Sequence, residues 1–595
     1  MSDQGRTRKG QSGSTLRLSR RSLLAAAGAG LAGAAVGFAP GIRIPAGRAS
    51  TISAPPNFPA GISLYQQTYQ NWAQQATVDD VWTCSPQTEA DVVTLANWAY
   101  QNSYTLRALG MSHNWSPLVL PNGANASNVV LVNTTDYLTA VSINTSGTPV
   151  TVTAQAGITM DSLTTAILSA GYGFNSIPAP GDITIGGALA VDAHGTAIPA
   201  TGETRETGMS YGSLSNLIQS LTAVTWNGSG YALQVFQRDD PAIAPFLTHL
   251  GRTFVTEVTL EVGAAQELQC VSNTTISAST LFAAPSAAGA SSFASLVASC
   301  GRVEAIWFPF TTTPWTKTWT IAPTQPPGSR QVSSPYNYTF ANVITQQESD
   351  LVEDIVSGDV SITPTFTALQ IGIVDAGLTA TVTADLWGWS KYTQLYVQPT
   401  TLRLTAGGWA MLTSQASIQQ VVCDFYTQYQ ATLASYQAQG YYPMNGPVEI
   451  RVTGLDQPAE AGVSGAVAPL LSALTPRPDQ PDWDVCVWID MLTIPGTPQS
   501  NEFYAQMEQW IFSHYTGSYA TARPEWSKGW AYTSSGPWTN TTMLTATIPA
   551  AINAGQSANN FGTASAAYDS YDPYQVFTNT FLDTLLPPGI GWPNG

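Results

Sequence analysis

Two glycine-bearing stretches restrict the fold of this chain more than any other feature of its sequence. One is RALGMSHNWSPL at 107–118; the other is IPAPGDITIGG at 177–187, followed by VDAHG at 191–195. Glycine lets backbone N–H groups approach anionic oxygens with no Cβ in the way. Two such stretches brought together form a cradle for a pyrophosphate. Neither is a G-x-G-x-x-G opening a helix after a strand, and neither holds the lysine of a P-loop, so Rossmann and P-loop chemistry are poor readings. The first stretch also carries His113, one of only four histidines, with no carboxylate near it in sequence. On composition alone that imidazole reads equally well as a structural histidine.

The surroundings of both stretches are mixed helix and strand. Apolar residues at 92, 93, 95, 96, 98 and 99 predict a helix over 89–102 with Thr88 as its N-cap. A second helix is expected over 71–76, and a third over 161–170, ending at Gly171. Strands are expected at 105–109, 129–133 and 150–154, with a loop-to-strand unit at 250–262 and glycine turns near 110, 181, 186 and 195. Residues 58–268 thus read as one α+β domain. From about residue 270 Trp and Phe become dense. Strands at 303–310, 315–321, 396–404, 448–453 and 485–492, with helices at 415–439 and 502–514, predict a large antiparallel sheet covered on one face by helices. That second domain is expected over 269–535, with 536–595 returning to the first.

The first 49 residues read as a twin-arginine export signal, SRRSLL at 19–24 followed by an Ala/Gly-rich apolar run. The run is short and rich in small residues for a membrane span of about 20 residues. This route exports folded proteins, which favours a cofactor inserted before export and a destination in the periplasm or outside the cell. Eight of the 21 basic and one of the 38 acidic residues lie in 1–49, which leaves 13 basic, 37 acidic and a net charge of −24. Such a chain is a poor ligand for nucleic acid or an anionic membrane surface. Its five cysteines show no metal spacing, and no metal site is expected.

The ordered set of the short strand and MSHN (111–114), the 180–187 stretch, His194-Gly195, the 251–260 unit and YDPYQVFTNTF (571–581) resembles the vanillyl-alcohol-oxidase-type (PCMH) flavoproteins. EAIWFPF (304–310), EIR (449–451) and WSK (526–528) are most similar to the bacterial cholesterol oxidases with covalently bound FAD. The resemblance implies an FAD-binding domain, a substrate domain and a covalent 8α-histidyl link at His113. A neutral imidazole nitrogen attacks the 8α position once the flavin methyl tautomerises to an electrophile. Residues that line the FAD by the same resemblance are Ala108, Gly110, Met111, Ser112, Asn114, Ser116, Pro117, Gly181, Asp182, Thr184, Gly186, Gly187, His194, Gly195 and Val255. The second stretch lacks cysteine, so a single link is expected. His249 and His514 read as surface or packing residues.

An alcohol oxidase needs a base for the hydroxyl proton and a cation near flavin N5. Glu449 and Arg451 stand two apart on a strand and so share a face. The resemblance puts Arg451 near N5, with Glu449 as its ion-pair partner and a gate for oxygen. Glu304 precedes Trp307, Phe308 and Phe310; loss of hydration there should raise its pKa toward that of a base. Asp490 occupies a position where the resembled family carries Asn, and that family's further substrate-site Glu has no counterpart near 403–408. Lys528 is a cation for the anionic reduced flavin. Trp307, Phe308, Phe310, Trp315, Trp319, Trp387, Trp389, Trp409 and Trp488 supply apolar core and a large cavity. The expected protein is a secreted, monomeric oxidase of 3β-hydroxysterols that uses O2 and touches bilayers only transiently. Two alternatives stay open: an oxidase or dehydrogenase of another bulky or polyol-type alcohol, and a non-catalytic exported lipid-binding protein.

Overall fold

The computed structural model describes residues 52–342, 345–399 and 401–589. The expected export signal lies outside them. Four strands, β1 (Ser63–Gln70), β2 (Thr77–Ser85), β3 (Thr105–Leu109) and β4 (Val129–Asn133), form a sheet in the order β1-β2-β4-β3. Residues 71–76, expected as a helix, are instead the turn between β1 and β2; Gln74 adopts a φ of 58° there. The segment is too short to repay helix nucleation, and the hairpin takes its backbone hydrogen bonds.

Helix α1 (Glu89–Asn102) has the expected bounds. Thr88 Oγ1 accepts the Asp91 N–H at 3.2 Å and Asp91 Oδ2 accepts the Thr88 N–H at 2.9 Å, a reciprocal capping box. Its apolar stripe buries Val92, Leu95, Trp98 and Ala99. A second sheet follows: β5 (Val141–Asn144), β6 (Thr151–Gln155), β7 (Ile218–Trp226), β8 (Tyr231–Gln237) and β9 (Phe254–Glu261), in the order β5-β6-β9-β7-β8. Helices α2 (Met160–Ser169) and α3 (Ile185–Ala190) share its apolar core through Met160, Leu163, Ile167, Ile185 and Leu189. Gly186 and Gly187 belong to α3, not to a turn; Thr184 caps that helix, its Oγ1 accepting the Gly187 N–H at 3.3 Å.

The largest sheet among the described residues has nine strands. They are β10 (Glu267–Asn273), β11 (Arg302–Trp307), β12 (Trp315–Ile321), β13 (Arg330–Gln331), β14 (Asp385–Trp389), β15 (Thr405–Thr413), β16 (Val448–Gly454), β17 (Val485–Thr493) and β18 (Ala520–Pro524), ordered β13-β14-β10-β12-β11-β16-β17-β15-β18. All its pairs are antiparallel except β13 with β14. On one face Val485, Val487, Ile489 and Met491 pack against helices α4 (Ile418–Gln437) and α5 (Ser500–His514). The strand expected at 396–404 does not form among the described residues: Val397 makes only an isolated bridge to Pro180, and the ladder begins at Thr405, where pairing with Thr493 starts. The C-terminal chain ties back to the first sheet, since Leu106 N–H donates to Val576 O at 2.7 Å.

Candidate active site

The two glycine stretches meet. A Cβ on Gly110 would lie 2.4 Å from Thr184 Oγ1, and one on Gly186 2.8 Å from the Ala156 Cβ. Only glycine allows loop, helix and strand to close to this degree. The cavity above them is lined by Ala108, Gly110, Met111, Ser112, His113, Asn114, Thr184, Gly186, Gly187, His194, Gly195 and Val255, all expected there. Four expected residues stand outside the lining. Ser116 is fully buried behind it, and Pro117 turns its carbonyl to the Asn579 amide. Gly181 packs on Asp161 and Leu395, and Asp182 stands behind His113.

His113 is held tightly. Its ring stacks on Trp72, with centroids 3.9 Å apart, and meets Trp115 edge-on at 6.0 Å. Its Nδ1 lies 3.5 Å from Asp182 Oδ1, an ion-pair distance, and neither atom has a hydrogen-bond partner. Trp115 and Ser116 donate their N–H groups to Ser527 O at 2.8 and 3.2 Å, and Lys528 Nζ sits 4.1 Å from the Trp115 ring centroid. The loop bearing His113 is therefore stitched to the loop bearing Lys528.

Strand register builds the other end of the cavity. Lys317 on β12, Glu304 on β11, Arg451 on β16 and Trp488 on β17 are successive cross-strand partners, and Glu449, Asp490 and Gly408 form a second row. Arg451 Nη1 reaches Glu449 Oε2 at 2.9 Å and Glu304 Oε1 at 3.5 Å, while its Nη2 donates to Asp490 Oδ2. Lys528 Nζ lies 3.3 Å from the same Asp490 oxygen. Tyr396 Oη donates to Glu304 Oε2 at 2.5 Å. All five expected catalytic residues thus join one network. Asp490, fully buried, lies beneath the cavity wall formed by Arg451, Glu449, Glu304 and Lys528.

Burial strains each charge here, and the neighbours decide the outcome. Desolvation opposes the Asp490 anion, but Lys528 and Arg451 overcome it and hold its carboxyl below the usual range. Burial also opposes the Arg451 cation, yet Asp490 and Glu449 raise its pKa further. For Glu449 burial outweighs Arg451, and its pKa rises. His194 stacks on Trp488 at 3.7 Å and donates Nδ1–H to Gly195 O at 3.0 Å. Burial, then Arg451, pushes its pKa down to about 3.

Several site residues escaped the sequence reading. Glu525, just before Trp526, lines the cavity, with Oε1 3.9 Å from Lys528 Nζ. Lys317 is fully buried, 3.8 Å from Glu304 Oε2 and 3.0 Å from the Tyr396 ring centroid. Its position between Trp315 and Trp319 on one strand face was the available signal. His249, expected at the surface or in packing, is buried and lines the cavity, as does Trp72. Of the nine aromatic residues proposed for core or cavity, Trp319 alone reaches the cavity; the rest are core or covering residues.

A glycine-lined cavity with buried, unpartnered nitrogens on His113 and His249 at its wall suits a large polar cofactor running toward an ionic end. Together with the mixed first domain and the nine-stranded second, it defines a two-domain FAD flavoenzyme. An FAD-binding-domain profile matches residues 83–233, and the profile of the cholesterol oxidase substrate-binding domain matches residues 267–587. The chain belongs to the cholesterol oxidase family. A solved solvent-stable cholesterol oxidase is 54% identical, with a TM-score of 0.88 over 90% of this chain and 100% of that one. The cholesterol oxidase of Brevibacterium sterolicum is 46% identical, with a TM-score of 0.89 over 91% of this chain and 100% of its own. Comparison with curated protein sequences finds no match.

Proposed function

We propose that this chain oxidises 3β-hydroxysterols with O2 to 3-ketosteroids and H2O2, with FAD joined covalently to His113. The observation that carries the reading is the ionic row of Glu304, Arg451 and Glu449 at one end of the cavity whose other wall holds His113. Bound FAD supplies the hydride acceptor and returns the electrons to O2. The chain's own residues handle the proton and the charge. Glu304 takes the hydroxyl proton, and Arg451 stabilises the negative charge developing on the sterol oxygen. Trp72 and Asp182 hold the His113 ring for its link. Glu304 or Glu449 moves a proton from C4 to C6 in the 5,6 to 4,5 double-bond shift.

The domain limits 58–268 and 269–535, with 536–595 returning to the first domain, belong to the same proposal. So do twin-arginine export to the periplasm or beyond, a single flavin link and a monomeric state. No helix among the described residues is long and apolar enough to cross a membrane. Asp490 favours a second reading, a different bulky alcohol as substrate, because it adds an anion to the site.

The experiment is to mix the purified yellow protein anaerobically with cholesterol, follow the flavin absorbance and then admit air. Bleaching, then recovery with peroxide, is expected. No bleaching, with flavin still held after acid precipitation, would move the substrate to another alcohol.

A further inference from the structure

The ionic cluster holds one carboxyl more than it has cations to balance. Its acids are Glu304, Glu449, Asp490 and Glu525; its bases are Lys317, Arg451 and Lys528. Burying an unbalanced charge is costly, and the group commonly neutralises instead. The position of the compensating proton can be read from the geometry.

Asp490 Oδ2 is occupied by Arg451 Nη2 and by Lys528 Nζ at 3.3 Å. Its other oxygen, Oδ1, is buried and has no N–H or O–H donor, and the same is true of Glu525 Oε2. These two oxygens lie beside the same point: a Cβ on Gly408 would meet Asp490 Oδ1 at 2.6 Å and Glu525 Oε2 at 3.0 Å. The two carboxyls are within hydrogen-bonding reach of each other. As two anions they repel; with one proton between them both orphaned oxygens are satisfied.

The other neighbours of Glu525 say which carboxyl keeps the proton. Its Oε1 has Lys528 Nζ at 3.9 Å, His194 Nε2 at 3.9 Å and the Ser527 hydroxyl at 3.4 Å. His194 spends its Nδ1–H on Gly195 O, so its Nε2 is bare and offers no donor. The two strong cationic contacts belong to Asp490. Arg451, Glu449, Cys486 and Tyr504 are the remaining ionisable groups packed around the pair, Glu449 as the cross-strand partner of Asp490.

We propose that Asp490 and Glu525 share a single proton resident on Glu525, and that this pair is a positioning device keeping the buried cluster neutral beneath the reacting centre. Burial and the Asp490 charge both push the Glu525 pKa well up, in keeping with this assignment. Loss of that proton at alkaline pH adds a negative charge to the cavity and opposes hydride delivery to the flavin. This kinetic consequence rests on the oxidase reading above; the shared proton does not.

The test is infrared titration of the flavin-loaded protein in H2O and D2O. Other buried acids contribute equally to wild type and variant, so the difference spectrum isolates one residue. Wild type minus Glu525→Gln should show a deuterium-sensitive carboxylic acid C=O band at neutral pH; a carboxylate band in its place overturns the proposal. Asp490→Asn removes the like charge and should lower the pH at which this band disappears by more than about 1 unit. An unshifted titration there also overturns it, and this variant serves if Glu525→Gln does not fold. In anaerobic reduction by cholesterol, Glu525→Gln should lose the alkaline fall in rate that wild type shows. If cholesterol reduces neither protein, the oxidase reading fails while the infrared result still decides the proton.

Discussion

Asp182 Oδ1 stands 3.5 Å from His113 Nδ1, although the two residues belong to different glycine stretches. The carboxylate missing from the sequence around His113 arrives through the fold. A carboxylate at one ring nitrogen fixes the tautomer and draws the ring proton toward itself, which raises the nucleophilicity of the imidazole. Asp182→Asn should therefore yield protein with flavin bound but largely extractable by acid, whereas wild type keeps its yellow colour on the precipitated chain. Full acid-stable flavin in the variant would remove Asp182 from the linking step.

Arg451 faces the substrate end with three carboxylates on it. Arg451→Met should lower the rate of anaerobic flavin reduction by about 10²–10³-fold, the usual effect of losing one preorganised charge stabiliser. It should also cost stability, because Glu449, Glu304 and Asp490 are left buried with fewer counterions. Arg451→Lys should recover part of the stability and little of the rate, since an ammonium cannot reproduce the forked contacts. Stopped-flow absorbance and thermal melting separate the two effects.

Glu304 and Glu449 occupy neighbouring strands and share Arg451, but differ in their other contacts. Glu304 is tied by Tyr396 and Lys317; Glu449 is tied to Arg451 and is partly exposed. Glu304→Gln is expected to slow oxidation by about 10²–10⁴-fold, the range for loss of a positioned base. Glu449→Gln should spare more of the oxidation. Product analysis for the 5-ene and 4-ene ketones then assigns the isomerising base; full rates of both steps in both variants would exclude the pair.

His194 and His249 are buried neutral, each with its pKa pushed from 6.5 down to about 3, by burial first and then by Arg451 or Arg107. The unfolded chain binds protons that the folded one refuses. Their contribution to stability is thus fully present above pH 6.5 and is lost as pH falls toward about 3. The expected slope approaches about 1.4 kcal/mol per pH unit for each histidine. His249→Asn should flatten the acid side of a melting-temperature profile relative to wild type. An unchanged acid slope would show that His249 does not titrate in this way.

Much of the local structure was readable from the chain. The 3.6-residue period and Thr88 located α1, and alternation placed Glu449 and Arg451 on one face. Cys486, Trp488 and Asp490 also fell on the face opposite Val485, Val487 and Ile489, as period-two spacing requires. Short-range patterning failed at 71–76, where a hairpin is imposed by the two strands it joins, and at 396–404, which follows the short helix Ser390–Gln394 and leads into the strand at Thr405.

What the amino-acid sequence determined by itself was which residues can do the chemistry and which face of a strand or helix they occupy, because those follow from residue type and backbone period. Only the tertiary structure decided which of them meet. Lys317, Glu304 and Arg451 come from three strands and become neighbours through register alone. Asp182 reaches His113 because Gly110 lets one loop approach Thr184 at the end of the other. Glu525 joins the cluster because Gly408 leaves a space that a side chain would have filled. Such contacts depend on pairing between distant segments, and no local periodicity encodes that distance.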